Sequence, residues 1–494
     1  MDSLYRYALI SQRSSFTRRE KQMKVLLVYP PNQLMPIETP RPDGSLGLLY
    51  LAGALRQIGI EPDLLDMTVG TNADKLENTF FRSEEQENGL VRIGMSWERI
   101  EESVQGYDIV AINSNFTPQT KMALHVVALA KKAGALVVCG GINARALAPR
   151  FLKNGVNVVC MGEGETTIKQ VAMGRAITKL PVLTNLDELP FPAWDLLPFE
   201  KYEQINSPHG IDLTGKRERY APLMTSRGCP FRCMYCHISQ EKGNIGELRV
   251  KSVERVLQEI AILKSLGVTK VFIEDDSLLA KKERIRRIFT AIRGEGLTIA
   301  DTNGVNLVHF FKKTPHGLEP DEDYMALLAE AGLKQIVFPV ESGSQRVLDK
   351  YATGKLNLAT MDVLKLVHVA RKVGIVCPVN MMLGFPDETL DEMMVSIALG
   401  HRLIEAGAAY ITPFIPIPFP GSVLYDIAIA GGHLEPDFDP DIMNWKNGVM
   451  KNTAVPKEKI VEIRDQAAEA WNPEEHILAR LQASVKTRIL TTRS

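Results

Sequence analysis

The 494-residue chain has little cysteine, no surplus of either charge and no long apolar run. Six cysteines in so long a chain exclude a disulfide scaffold. The 58 Lys and Arg stand against 59 Asp and Glu, and a formal net charge of −1 gives no field for holding nucleic acid without sequence preference. No apolar run approaches the ~20 residues that a membrane span requires. Residues 1–22 are rich in Arg and Ser but lack the continuous apolar stretch of a secretory signal, which predicts a cytoplasmic setting and a disordered extension ahead of Met23. What the chain does have is length: at ~150 residues per domain it has room for two or three.

The pattern from residue 23 to about 175 alternates strand and helix. Residues 25–29, 109–113, 136–139 and 158–161 are continuous aliphatic runs, as expected of parallel strands with helices on both faces. Helical spacing is evident over 46–58, stopped by Gly59, and over 121–132. This predicts a doubly wound α/β domain over 23–179 whose ligands sit beyond the carboxyl ends of its strands. A proline-punctuated stretch follows and reads as a linker over 180–215. A second α/β series occupies 216–425. It has an amphipathic helix through Val253, Val256, Leu257, Ile260 and Leu263, and strands at 271–273, 335–340, 376–383 and 410–415. Such spacing implies parallel pairing, in an open sheet or a full or partial barrel. Residues 426–494 read as a polar, mostly helical segment, with Asn472-Pro473 as a helix start.

Three of the six cysteines lie within eight consecutive residues, Cys229-Pro-Phe-Arg-Cys233-Met-Tyr-Cys236, directly after an expected strand at 223–225. Spacings of three and two residues let one loop bring its thiolates around one centre. A closed zinc or iron-sulfur site normally takes four protein ligands, so three leave a coordination position open. Two other readings stand beside this one: His237 completes a Cys3His zinc site, or the thiols are free.

The Cys-x3-Cys-x2-Cys pattern, with aromatic Tyr235 before the third cysteine, resembles that of the radical S-adenosylmethionine enzymes. The resemblance implies that Cys229, Cys233 and Cys236 hold a [4Fe-4S] cluster whose fourth iron is chelated by S-adenosylmethionine. It extends over Met23 to Tyr425 through Phe272-Ile-Glu-Asp-Asp276, Glu341-Ser-Gly-Ser344, Leu383-Gly-Phe-Pro-Asp-Glu-Thr389 and Pro418-Phe-Pro-Gly-Ser422. By that likeness Asp275 and Asp276 lie near the methionyl amine, Glu341 and Ser342 near the ribose, and the second domain is a partial (β/α)6 barrel. Cys139, Cys160 and Cys377 fall in apolar strands and read as small core residues.

The first domain resembles the Rossmann-like cobalamin-binding domain of one branch of that family. The matching segments are Val28-Tyr-Pro-Pro31, Gly47-Leu-Leu-Tyr-Leu-Ala52, Cys139-Gly-Gly-Ile-Asn143 and Gly162-Glu-Gly-Glu-Thr166. Gly140, Gly141, Gly162 and Glu163 are the implied cobalamin contacts. The Asp-x-His-x-x-Gly motif, whose histidine ligates cobalt, is absent; His125, the only histidine over 23–179, falls in an expected helix. The loop 114–119, with Ser114 and Asn115, is therefore the candidate for facing the lower side of the corrin.

The resemblance implies a cobalamin-dependent methyltransferase acting on an unactivated carbon, with a flavodoxin or ferredoxin as electron donor and a small-molecule, lipid or peptide substrate. A cyclase or rearrangement enzyme using the same cofactors, and a zinc-stabilised nucleotide-binding or scaffold protein, are the alternatives.

Overall fold

Continuous aliphatic runs in the first half of the chain become strands covered on both faces. The computed structural model describes residues 23–472 apart from 37, 39, 43, 178–181, 207–216 and 239–245. The expected extension at 1–22 and Pro473 lie outside the described residues. The chain divides after Ile205 into two units.

In the first unit, β1 (Val25–Tyr29), β2 (Asp63–Asp66), β3 (Ile109–Asn113), β4 (Leu136–Gly140) and β5 (Val158–Val159) form one parallel sheet in the order β2-β1-β3-β4-β5. The order reverses between β1 and β3, and open α/β sheets hold their ligands at such a switch point. Helices α1 (Leu46–Arg56) and α3 (Gly164–Ala172) supply Leu48, Ala52, Leu55, Ile168 and Ala172 to one face. Helix α2 (Thr120–Lys132) supplies Ala123, Val126, Val127 and Ala130 to the other. Burial of both faces explains why the strands read as unbroken aliphatic runs.

The proline-rich stretch read as a linker is packed on this unit as far as Ile205. Lys201 Nζ donates to the carbonyls of Val69, Thr71 and Asp74 at 2.6, 2.7 and 2.8 Å, and Tyr202 Oη donates to Asp66 Oδ2 at 2.8 Å. A three-stranded antiparallel sheet of Asn32–Leu34, Val91–Ile93 and Ser83–Glu85 was not expected. Three-residue strands carrying Asn, Gln, Ser and Glu give neither alternation nor an aliphatic run to detect.

In the second unit β6 (Tyr220–Leu223), β7 (Lys270–Ile273), β8 (Thr298–Asp301) and β9 (Leu333–Gln335) pair in parallel, as do β10 (Phe338–Glu341), β11 (Val379–Met382) and β12 (Ile411–Phe414). A bridge from Gln335 to Val376 joins the two sheets. β9 and β10 are thus two halves of one fourth strand, and the whole is an open, six-position (β/α) barrel. Helices α4 (Val253–Ser265), α5 (Lys282–Ile292), α6 (Glu322–Glu330), α7 (Gln345–Tyr351), α8 (Val363–Lys372) and α9 (Leu390–Ala406) connect the strands. Helix α10 (Lys457–Trp471) closes the described chain, and Trp471 is fully buried. Asn472 caps the end of this helix: its Oδ1 accepts from Ile411 N and its Nδ2 donates to Ile411 O and Ala468 O, and the helix expected to start at Asn472-Pro473 lies outside the described residues. Among the described residues no helix is long and apolar enough to cross a membrane.

Glu388 shows what burial does at the barrel rim. It is fully buried, and its Oε2 accepts from Gly384 N at 2.7 Å and Phe385 N at 3.0 Å. Burial pushes its carboxyl from 4.5 up to about 7, against the pull of those two N–H groups. A raised folded-state value favours the protonated form, so its stabilisation is complete below pH 4.5 and is lost as pH rises toward about 7. Glu388→Gln is expected to remove about 3 kcal/mol of that decline. Urea midpoints of the second unit at pH 5 and pH 8 check it, the variant showing the flatter profile.

Candidate functional site

The cysteine loop leaves the carboxyl end of β6 and is closed at its neck. Ser226 and Arg227 pair antiparallel with Val250 and Arg249. Gly228 sits at φ 83°, and a Cβ there would lie 2.2 Å from Glu247 O, so the turn into Cys229 requires glycine. Cys229 N donates to Gly246 O at 3.0 Å, and Met234 N donates to Tyr351 O at 2.8 Å. A buried polar group anchors the base of the neck. Asp275, fully buried just after β7, accepts from Thr225 N at 2.5 Å and from Thr225 Oγ1 and Ser226 Oγ at 2.6 Å each. Arg284 donates to Thr225 O at 2.9 Å and Lys251 O at 2.6 Å. Lys251, also fully buried, reaches Met224 O at 2.6 Å and Glu259 Oε2 at 2.5 Å.

The expected pair of aspartates therefore divides. Asp275 has both oxygens engaged by Thr225 and Ser226, on the scaffold side of the loop. Asp276 lies on the cysteine side: its Oδ2 accepts from Gly228 N at 2.8 Å, and its charge acts on Cys229 and Cys236. Ser342 is fully buried and shares its hydroxyl with Ser396 Oγ at 3.1 Å and Ser344 N at 3.1 Å, so it holds the loop after β10 to α9. Glu341, at φ 69° and 6% exposed, accepts from Tyr235 Oη at 2.7 Å and from Lys355 Nζ at 3.2 Å.

Cys229, Cys233 and Cys236 are free thiols. Burial raises all three above the ordinary thiol range, Cys236 up to about 12, while the Lys355 ammonium pulls each the other way. Among the described residues no three His, Cys, Asp or Glu side chains close around a point as a single metal ion needs. Tetrahedral zinc would require sulfurs only about 3.8 Å apart. Three thiols on one clamped loop fit an inorganic core larger than a single ion. At the same mouth Asp301, the last residue of β8, is fully buried; burial and the neighbouring Asp275 charge push its carboxyl up to about 8.

In the first unit the expected residues gather at the carboxyl edge of β3, β4 and β5. Ser114 N donates to Gly140 O at 2.8 Å, and Ser114 Oγ accepts from Asn143 Nδ2 at 2.8 Å. Gly141, at φ 101°, lies against this loop so closely that a Cβ would sit 2.4 Å from Asn115 Oδ1 and 2.5 Å from Ser114 O. Gly162 accepts from the Cys160 thiol at 3.3 Å, one strand further on, and Glu163 directly precedes α3. Ser114 is thus committed to the scaffold, whereas Asn115 and Phe116 are exposed, Phe116 at 61%. His125, exposed on α2, stacks on Trp97 at 3.8 Å, and Arg92 covers the same indole at 4.1 Å. Sequence reasoning missed Lys355 and Arg284, which reach the site only through tertiary contacts and carry no local motif.

Residues 223–399 match the radical SAM superfamily and residues 44–172 the B12 binding domain, together more than half of the chain. Cytidylyl-2-hydroxyethylphosphonate methyltransferase of Streptomyces wedmorensis is 27% identical over 90% of this chain and 89% of its own. Hopanoid C-3 methylase of Methylococcus capsulatus is 24% identical over 73% and 64%. Among solved structures, the radical S-adenosylmethionine methyltransferase TsrM from Kitasatospora setae, with cobalamin and a [4Fe-4S] cluster bound, superimposes with a TM-score of 0.60 at 17% identity, covering 84% of this chain and 79% of that one. The cobalamin-dependent radical enzyme OxsB gives 0.55 at 19% identity, over 76% and 52%. With a B12-binding domain ahead of a radical SAM core and a three-cysteine loop at the barrel mouth, the chain belongs to the cobalamin-binding radical S-adenosylmethionine enzymes, whose cofactors are a [4Fe-4S] cluster, S-adenosylmethionine and cobalamin.

Proposed function

We propose that the protein is a methyltransferase that adds a methyl group to an unactivated carbon of a small molecule. The observation that carries the reading is the joining, in one chain, of a B12-binding sheet to a barrel whose first loop presents three closely spaced cysteines. When bound, the cofactors supply a 5′-deoxyadenosyl radical that takes a hydrogen atom from the substrate and a methyl group carried on cobalamin. Cys229, Cys233 and Cys236 are the proposed cluster ligands, and Asp276 the proposed partner of the methionyl amine. Gly140, Gly141, Gly162 and Glu163 would let backbone approach the corrin and its tail, with Asn115 and Phe116 toward its lower face. Relatives named for methyl transfer to a phosphonate nucleotide and to a hopanoid support methylation over rearrangement.

Cofactor content tests the reading. After anaerobic reconstitution the full chain is expected to carry iron and sulfide in equal amounts, and cobalamin visible by its absorbance. A colourless protein carrying zinc would overturn it.

A further inference from the structure

We propose that Lys355 is a positioning residue that sets the reduction potential of the cluster held by the cysteine loop. The inference rests on the cluster assignment above. Lys355 follows α7, far from the cysteines in sequence, yet its ammonium lies 3.2 Å from Tyr235 Oη and 3.2 Å from Glu341 Oε1. It also stands 5.6 Å over the ring of Tyr235, the residue next to Cys236. Its side chain is only 17% exposed, and its charge acts on Cys229, Cys233 and Cys236 alike.

Holding a charge there is costly, and burial alone would favour the neutral amine. The Glu341 carboxylate 3.2 Å away opposes the effect of burial and keeps the lysine charged. Glu341 is itself held at a positive φ of 69°, which a non-glycine residue adopts only at a cost. It keeps that conformation where Tyr235 and Lys355 both engage it. The triad thus fixes one cation beside the loop, with the Glu341 and Asp276 carboxylates as the opposing charges. Reduction of a cluster adds negative charge, and in a poorly solvated site a fixed cation favours the reduced state. Lys350, five residues earlier, offers a contrast: it is 42% exposed and paired with Asp387.

The test is potentiometric titration of the reconstituted full chain, followed by electron paramagnetic resonance without S-adenosylmethionine. Glu341→Gln removes the opposing carboxylate and is expected to raise the potential. Adding Lys355→Met in that background isolates the lysine charge from any compensating protonation of Glu341. The potential is then expected to fall at least tenfold in the reduction equilibrium, about 59 mV for one electron. Equal potentials for the single and double variants would overturn the proposal, as would an effect confined to S-adenosylmethionine affinity. Should the double variant not assemble a cluster, Lys355→Met and Lys355→Arg carry the same test: Met lowers the potential and Arg keeps it, and two unshifted values overturn the proposal. A wild-type chain with no [4Fe-4S] signal refutes the cluster assignment itself, whereas an unmoved potential in an assembled cluster refutes only the role of Lys355.

Discussion

Cys233→Ala is expected to abolish reductive cleavage of S-adenosylmethionine, to the background of iron-free protein, while leaving both units folded. A three-ligand site has no spare donor. Cys233 is the most buried of the three at 3% exposure, and the loop around it is fixed by Met234 N on Tyr351 O and Cys236 N on Cys233 O. Of the remaining cysteines, Cys139 lies in β4, Cys160 lies just past the end of β5 and Cys377 lies ahead of β11. All three are buried in packed segments outside the cysteine loop. The thiols also show why the metal must stabilise its own ligands: burial holds them protonated, and metal binding expels the protons. Formation of 5′-deoxyadenosine with a chemical reductant is the measurement. Cleavage retained by the variant would contradict the assignment, and Cys160→Ala, with its thiol bonded inside the first unit, serves as the control that should cleave normally.

Asp275→Ala should cost about 4 kcal/mol or more, seen as a lowered urea midpoint and as lost iron. The substitution strands three buried donors at once: Thr225 N, Thr225 Oγ1 and Ser226 Oγ. Each unsatisfied buried donor costs about 1–3 kcal/mol. Because those donors begin the cysteine loop, the damage reaches the cluster even though Asp275 faces away from it. Asp276→Asn should behave oppositely, keeping stability and iron while weakening S-adenosylmethionine binding. If Asp275→Ala leaves the urea midpoint unchanged, the anchor role is wrong.

Adjacent residues with such different tasks were invisible in the sequence, since neighbours at a strand end point to opposite sides and only the register of β7 against β6 decides which side is which. The parallel strands were legible because burial on two faces writes them as aliphatic runs: Val25–Tyr29 and Ile109–Asn113 have the bounds their sequence predicts. The fourth barrel strand, expected unbroken over 335–340, is split into β9 and β10, with Gln335 crossing to Val376 where the two sheets meet. The hairpin of Phe311–Thr314 and Gly317–Pro320 escaped notice because its strands are short and half polar. At the site, spacing revealed the cysteines, which act through a local loop. Lys355, Arg284 and Lys251 act through the fold, and Ser342, read as a ligand contact, proved to be bonded to Ser396 on α9.

The most direct measurement of the central claim is the nucleoside product ratio of the reconstituted enzyme turning over its substrate anaerobically with a reductant. Methylation of an unactivated carbon predicts one S-adenosylhomocysteine and one 5′-deoxyadenosine for each methyl group gained. Formation of 5′-deoxyadenosine alone, with product of unchanged mass or without a methylene gain, would contradict it.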